Sequence, residues 1–152
     1  MKGNQYRDWV GYYIKSNFSA RGIKVYTEIF MGKSIIGKNR RVDVLVVDES
    51  QNKAVALECK FQGSSGTTDE KVPYTLNDCE SMQMDAYVIY GGAGWSTGIV
   101  HMLEANELAS YACPKDEDGN DFTRTKNTRE LDHLLAMRFS WWDIFTQHKP
   151  HL

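Results

Sequence analysis

A single α/β domain built on a mixed sheet, ordered α-β-β-β-α-β-α-α, is the fold class this sequence predicts. Three runs rich in β-branched and aromatic residues follow one another through short connections, as strands of a meander do. A helical segment precedes them. A fourth apolar run returns only after a further helical stretch, so it rejoins the sheet by a crossover. With 152 residues, 41% of them hydrophobic, the chain has material for one core and too little for two ordinary domains.

Each element has its own local signal. Residues 4–20 place Trp9, Tyr12, Tyr13 and Phe18 at roughly helical spacing, with Gly11 weakening the helix and Gly22 near its end. IKVYTEIF (23–30) reads as a strand with Val25, Thr27 and Ile29 on one face and Tyr26, Glu28 and Phe30 on the other. MGKSIIGKNR (31–40) is a glycine-punctuated connection. RVDVLVVDE, an SQN turn and KAVALECKFQ (53–62) make the next two strands. GSSGTTDEKVP (63–73) is a loop with room for one helical turn. A helix from Pro73 to about Met84, the strand DAYVIYGG (85–92) and a helix over 98–111 follow. The polar segment 114–126 reads as a surface loop. Asn127 stands three residues before Glu130, in capping-box register for a last helix that buries Leu131, Leu134, Leu135 and Met137.

Composition narrows the function. No run of eighteen apolar residues occurs, and the N-terminus does not read as a signal peptide. Cys59, Cys79 and Cys113 are too few and too scattered for a disulfide framework or a zinc knuckle, which favours reduced thiols in an intracellular protein, cytoplasmic or nucleoid-associated. The net charge of -2 conceals an asymmetry. Residues 1–45 carry nine basic and three acidic side chains, whereas 46–152 carry nine basic and seventeen acidic ones. A chain polarised in this way can turn a positive face to a phosphate backbone.

The chemistry concentrates on two adjacent strands. Alternation in 53–62 puts Val55, Leu57, Cys59 and Phe61 on one face and Ala56, Glu58, Lys60 and Gln62 on the other. Three polar side chains in succession on one face of a central strand cost free energy unless they are paired, hydrated or metal-bound. The preceding strand holds Asp43 inside an apolar run. If the two strands pair around the SQN turn, opposing positions sum to about 101, and Asp43 faces Glu58. Neighbouring carboxylates repel and gain from a hard divalent cation such as Mg²⁺, with Mn²⁺ as a substitute. The Cys59 carbonyl offers a further oxygen. Lys60 projects toward the same place, where it can hold or deprotonate water and offset charge on phosphorus.

Asp43 in RVDVLVV, followed after fourteen residues by Glu58 in ECK, resembles the metal motif of the PD-(D/E)XK nuclease superfamily, with Val42 where a proline usually stands. The resemblance covers roughly residues 5–92. It implies a restriction-endonuclease-like αβββαβ core followed by additional C-terminal helices. It also implies that Asp43 and Glu58 bind the metal and that Lys60 is the motif lysine. Gln62 resembles a glutamine found shortly after that lysine in some members, and GTTDEK (66–71) resembles a segment of restriction-type members. Activity on duplex DNA is implied, of restriction or homing type ahead of junction resolution. Some members use an additional acid, for which Glu28 leads and Asp8 is the rival.

Lys33, Lys38, Arg40 and Arg41 form a basic patch before Asp43, suited to phosphate contacts. Ser64, Ser65, Thr67, Thr68 and Lys71 could contact DNA from the next loop, which lacks the GxxxxGK[ST] pattern of a Walker A motif. The four histidines show no metal-ligand spacing. Trp141, Trp142 and Phe145 supply core packing, a self-association surface or, last in order, base stacking. A homodimer or homotetramer is expected, because one hydrolytic centre cuts one strand and two-fold symmetry presents two.

Overall fold

In the computed structural model, which describes residues 1–34 and 36–152, helix α1 (Gly3–Phe18) leads into a meander of β1 (Lys24–Lys33), β2 (Asn39–Asp48) and β3 (Lys53–Phe61). Ile35, in the expected 31–40 connection, lies outside the described residues. Helix α2 (Val72–Ser81) then carries the chain to β4 (Asp85–Gly91), and α3 (Thr97–Ala105) carries it to β5 (Ala109–Tyr111). The chain finishes with α4 (Arg129–Phe139) and α5 (Trp142–Thr146). The strands lie in sequence order, β1-β2-β3-β4-β5. β1, β2 and β3 pair antiparallel, and β4 and β5 add on in parallel. The sheet is therefore mixed, and β3 is the strand at which it changes sense.

The β2–β3 hairpin takes the expected register. Val44 pairs with Leu57, Val46 with Val55 and Asp48 with Lys53, each pair summing to 101. The turn is fixed by Asp48, whose carboxylate accepts hydrogen bonds from Ser50 Oγ at 2.6 Å and Gln51 N at 3.2 Å. Asn52 takes a left-handed φ of 52°, a conformation asparagine tolerates well.

Two cores flank the sheet. On one side Val44, Val46, Val55, Leu57, Cys59 and Ile89 pack against α1 and α4. On the other, Ala56, Val88 and Tyr90 pack against α2 and α3. The short loop segment Thr68–Lys71 forms a 3₁₀ turn, as the sequence allows.

Several local readings need correction. The last third holds a fifth strand where a continuous helix to 111 is expected; Asn106 breaks α3, and ASY is too short to show a period. The buried face of α1 comprises Tyr6, Trp9, Val10, Gly11, Tyr13, Ile14 and Phe18, while Tyr12 is exposed. Asn127 does not cap α4. Thr125 caps a 3₁₀ turn at Lys126–Thr128 through Asn127 N, and α4 starts at Arg129. In α4, Leu131, Leu135, Ala136 and Phe139 are buried, and Met137 lies outside. The C-terminal aromatics divide, Trp141 joining the core and Trp142 remaining exposed.

Candidate active site

Val42, Val44 and Val46 should share one face of β2, because side chains alternate. They do not. Val44 and Val46 belong to the core under α1, whereas Val42 belongs to the core under α2. The strand therefore turns over at Asp43. The β2–β3 ladder runs from Asp48 only as far as Val44. Past that point the Asp43 side chain substitutes for a backbone partner, its Oδ2 accepting the Cys59 amide hydrogen at 2.8 Å.

The neighbouring strand is broken at the same level. Thr27 pairs with Val44 and Ile29 with Val42, so Glu28 stands level with Asp43, yet the two do not pair. Glu28 has a φ of 55°, an unusual backbone state for a residue with a long side chain. Its carboxylate is held by two arginines, Arg7 at 2.9 Å and Arg41 at 3.2 Å. Arg7 in turn donates from Nε and NH2 to Asp8 at 2.9 and 2.8 Å.

Glu58 comes within hydrogen-bonding reach of the Asp43 carboxylate. Burial, followed by the charge of Asp43, pushes its carboxyl up to about 8, with Lys60 opposing the shift. Glu58 and Lys60 line one cavity of about 220 Å³ together with Lys38, Arg40, Arg41, Tyr74, Thr75 and Asp78. Arg40 is tied down inside it by a forked contact to Asp78. Lys60 makes no ion pair among the described residues. Cations thus wall the cavity around Glu58, while Asp43 approaches Glu58 from outside its lining, an arrangement suited to an anion held beside a metal.

Two carboxylates in contact, one driven toward its protonated form by burial and its neighbour's charge, gain from a hard cation that replaces the shared proton. No group of three or more His, Cys, Asp and Glu side chains suited to a metal occurs among the described residues. The remaining ligands would then be backbone, water or substrate oxygens, which Mg²⁺ accepts readily. The residues fit such an ion.

The other candidates are placed as follows. Gln62 is buried and its amide is committed, donating to Asp69 and to the Gly94 carbonyl at 2.9 Å each. Its oxygen accepts from Asp69 N at 3.2 Å, so Gln62 anchors the loop after β3 rather than lining the cavity. Ser64, Ser65, Thr67 and Lys71 are exposed on that loop, as Lys33 is at the end of β1. The Cys59 thiol is buried in the α1 core, where burial raises it well above the ordinary range and the two carboxylates add to the shift. All three cysteines are free. Asp8 stays half exposed beside Arg7. Arg7 is the residue that sequence reasoning missed; the visible signal was a cation one turn before Gly11 on a helix packed against the first strand.

The chain belongs to the PD-(D/E)XK nuclease superfamily, whose domain model matches residues 2–142. Among solved structures it is similar to a repair endonuclease from Pyrococcus abyssi, with 21% identity and a TM-score of 0.38 over 67% of this chain and 44% of that one. The chain therefore spans less than half the length of that endonuclease. It is also similar to AF1548, a protein of unknown function, with 13% identity and a TM-score of 0.48 over 86% of this chain and 78% of that one. No curated protein matches. No helix among the described residues is long and apolar enough to cross a membrane.

Proposed function

We propose that this protein is a Mg²⁺-dependent endonuclease that hydrolyses duplex DNA at specific sites, in the manner of a restriction or homing enzyme. The observation that carries this reading is the approach of Glu58 to Asp43 at the break in β2, with Glu58 and Lys60 lining one cation-walled cavity. Asp43, Glu58 and the Cys59 carbonyl would hold the ion. When bound, it would polarise the scissile phosphate and lower the pKa of a coordinated water. Lys60 orients the attacking water and offsets charge that builds on the phosphorus oxygens. Arg40, held by Asp78, and Lys38 and Arg41 nearby hold the flanking phosphates. Lys33, Ser64, Ser65, Thr67 and Lys71 extend that contact along the strand, and Glu28 completes the acidic rim. Gln62 acts on the site by fixing the loop that carries the serines.

Incubation of the purified protein with circular plasmid and Mg²⁺ tests the reading. Nicked or linear products are expected, EDTA abolishing them and Lys60→Ala reducing them about a hundredfold or more. Equal activity of the variant would remove Lys60 from the mechanism. Cleavage of a four-way junction with linear duplex left intact would make the protein a junction resolvase. Failure to bind a divalent ion, with or without DNA, would leave a non-catalytic DNA-binding protein with a nuclease fold.

Assembly into a homodimer or homotetramer belongs to the same proposal. Met137, Trp142 and Phe145 are exposed on neighbouring parts of α4 and α5, while the apolar face of α1 is consumed by the core. The α4–α5 face is therefore the better self-association surface. Sedimentation equilibrium should show a dimer or tetramer that Trp142→Glu dissociates; a monomer with and without DNA would point to a nickase.

A further inference from the structure

The clamp around Glu28 lies outside the carboxylate–lysine set, yet it is built against the same point of the sheet. Arg7 is mostly buried, and all three of its nitrogens are used: Nε and NH2 on Asp8, NH1 on Glu28 at 2.9 Å. Glu28 is level with Asp43, bracketed by the Thr27–Val44 and Ile29–Val42 pairs, and it carries the strained φ of 55°. An extended β1 would continue its ladder through this position and draw β2 into regular pairing. Asp43 would then lose the turn-over that aims its carboxylate at Glu58 and the Cys59 amide.

The reach of Arg7 depends on how closely α1 lies on β1. Gly11, one turn further along the helix, presents the same face, and a Cβ there would come within 3.3 Å of Thr27 Cγ2. A helix held at that distance keeps the guanidinium against Glu28. Arg7 also adds positive charge near Asp43, which contributes to holding the arginine protonated although burial opposes it.

We propose that Arg7 is a positioning residue: by clamping Glu28 in its left-handed conformation, it keeps β1 and β2 apart at the level of Asp43 and so fixes the Asp43 carboxylate. A catalytic consequence rests on the nuclease reading; the structural consequence does not. A planar fork is needed to bridge Asp8 and Glu28, so lysine is an incomplete substitute.

The test compares Arg7→Ala, Arg7→Lys, Glu28→Gln and the Arg7→Ala/Glu28→Gln double variant. Amide hydrogen exchange in EDTA follows Cys59, whose N–H bonds Asp43, against Val55 and Leu57 in the regular ladder. Exchange at Cys59 should accelerate about tenfold in Arg7→Ala, less in Arg7→Lys, with Val55 and Leu57 unchanged. The double variant should add little to either single one, because both break the same clamp. Calorimetric Mg²⁺ affinity should weaken about fivefold or more, and kcat on plasmid should fall more than KM rises. Unchanged protection at Cys59, or a uniform loss across β3, would overturn the proposal, the latter leaving Arg7 a merely structural residue. If Arg7→Ala does not fold, Arg7→Lys and Gly11→Ala, which displace the fork without deleting the charge, decide the question by the same ratio. A wild-type protein that binds no divalent ion and cuts no DNA would defeat the nuclease reading, while the exchange pattern would still decide the role of Arg7.

Discussion

The two ends of one hairpin are built on opposite terms. Near the turn, β2 and β3 pair without interruption from Val44–Leu57 to Asp48–Lys53, and their side chains enter two apolar cores. At the far end, the ladder gives way at Asp43, a side chain replaces a backbone partner, and carboxylates sit together under partial burial. The first end stabilises the fold. The second draws on that stability to hold charges that would otherwise separate or protonate. Identical strands can do both because the distortion is confined to one residue level, where Glu28 and Asp43 leave their ladders together.

The sharpest way to separate the ends is to mutate each and measure both activity and stability. Asp43→Asn should reduce cleavage by about a thousandfold or more while Tm stays close to wild type, since charge–charge repulsion is relieved as a hydrogen bond is weakened. A Tm drop as large as that of a core deletion would mean that Asp43 is mainly structural. Leu57→Ala, two residues away from Cys59 but in the regular ladder and fully buried, should show the reverse. Denaturant unfolding should reveal a loss of about 2–5 kcal/mol, with cleavage at low temperature largely kept.

A smaller effect comes from pH. Burial and Asp43 push the Glu58 carboxyl up to about 8, so the folded chain holds this proton more tightly than the unfolded chain does. The stabilisation is fully present below the ordinary carboxylate range and is lost as pH rises through about 8. Calorimetry in EDTA should record a falling Tm over that window, and Glu58→Gln should flatten the fall. An unchanged slope in that variant would assign the titration to another group. The smallest effect is expected at the rim: Lys38→Ala should weaken DNA binding uniformly and lower the salt slope by about one, measured by fluorescence anisotropy at several salt concentrations.

The same contrast explains what the sequence makes legible. The hairpin register follows from two alternating strands and a short polar turn, and it holds wherever the ladder is regular. It places Asp43 opposite Glu58 for a sound reason, yet it contains no hint that β2 turns over between Val42 and Val44. That reversal depends on Glu28 and Arg7, which are 21 positions apart and show no shared period. β5 is invisible because three residues carry no pattern, and its pairing is dictated by β4. Met137 and Tyr12 are misassigned because apolar character alone does not fix which side of a helix meets the core. Gln62 falls on the expected face by alternation but lies just past the end of β3, where the strand pattern no longer governs its direction.

Three aromatic side chains on the buried face of α1 fasten it to the last third of the chain. Tyr6 Oη donates to the Ala112 carbonyl at 2.6 Å, Trp9 Nε1 to the Asp121 carbonyl at 2.9 Å and Tyr13 Oη to Asp132 at 2.6 Å. During synthesis, α1 therefore leaves the ribosome well before these three partners exist. The β1–β2–β3 hairpins close through local contacts and α1 can settle on them, but these three hydrogen bonds form only once residues 112–132 have been synthesised. During translation, the carboxylate pair therefore precedes part of the scaffold that holds α1 in place.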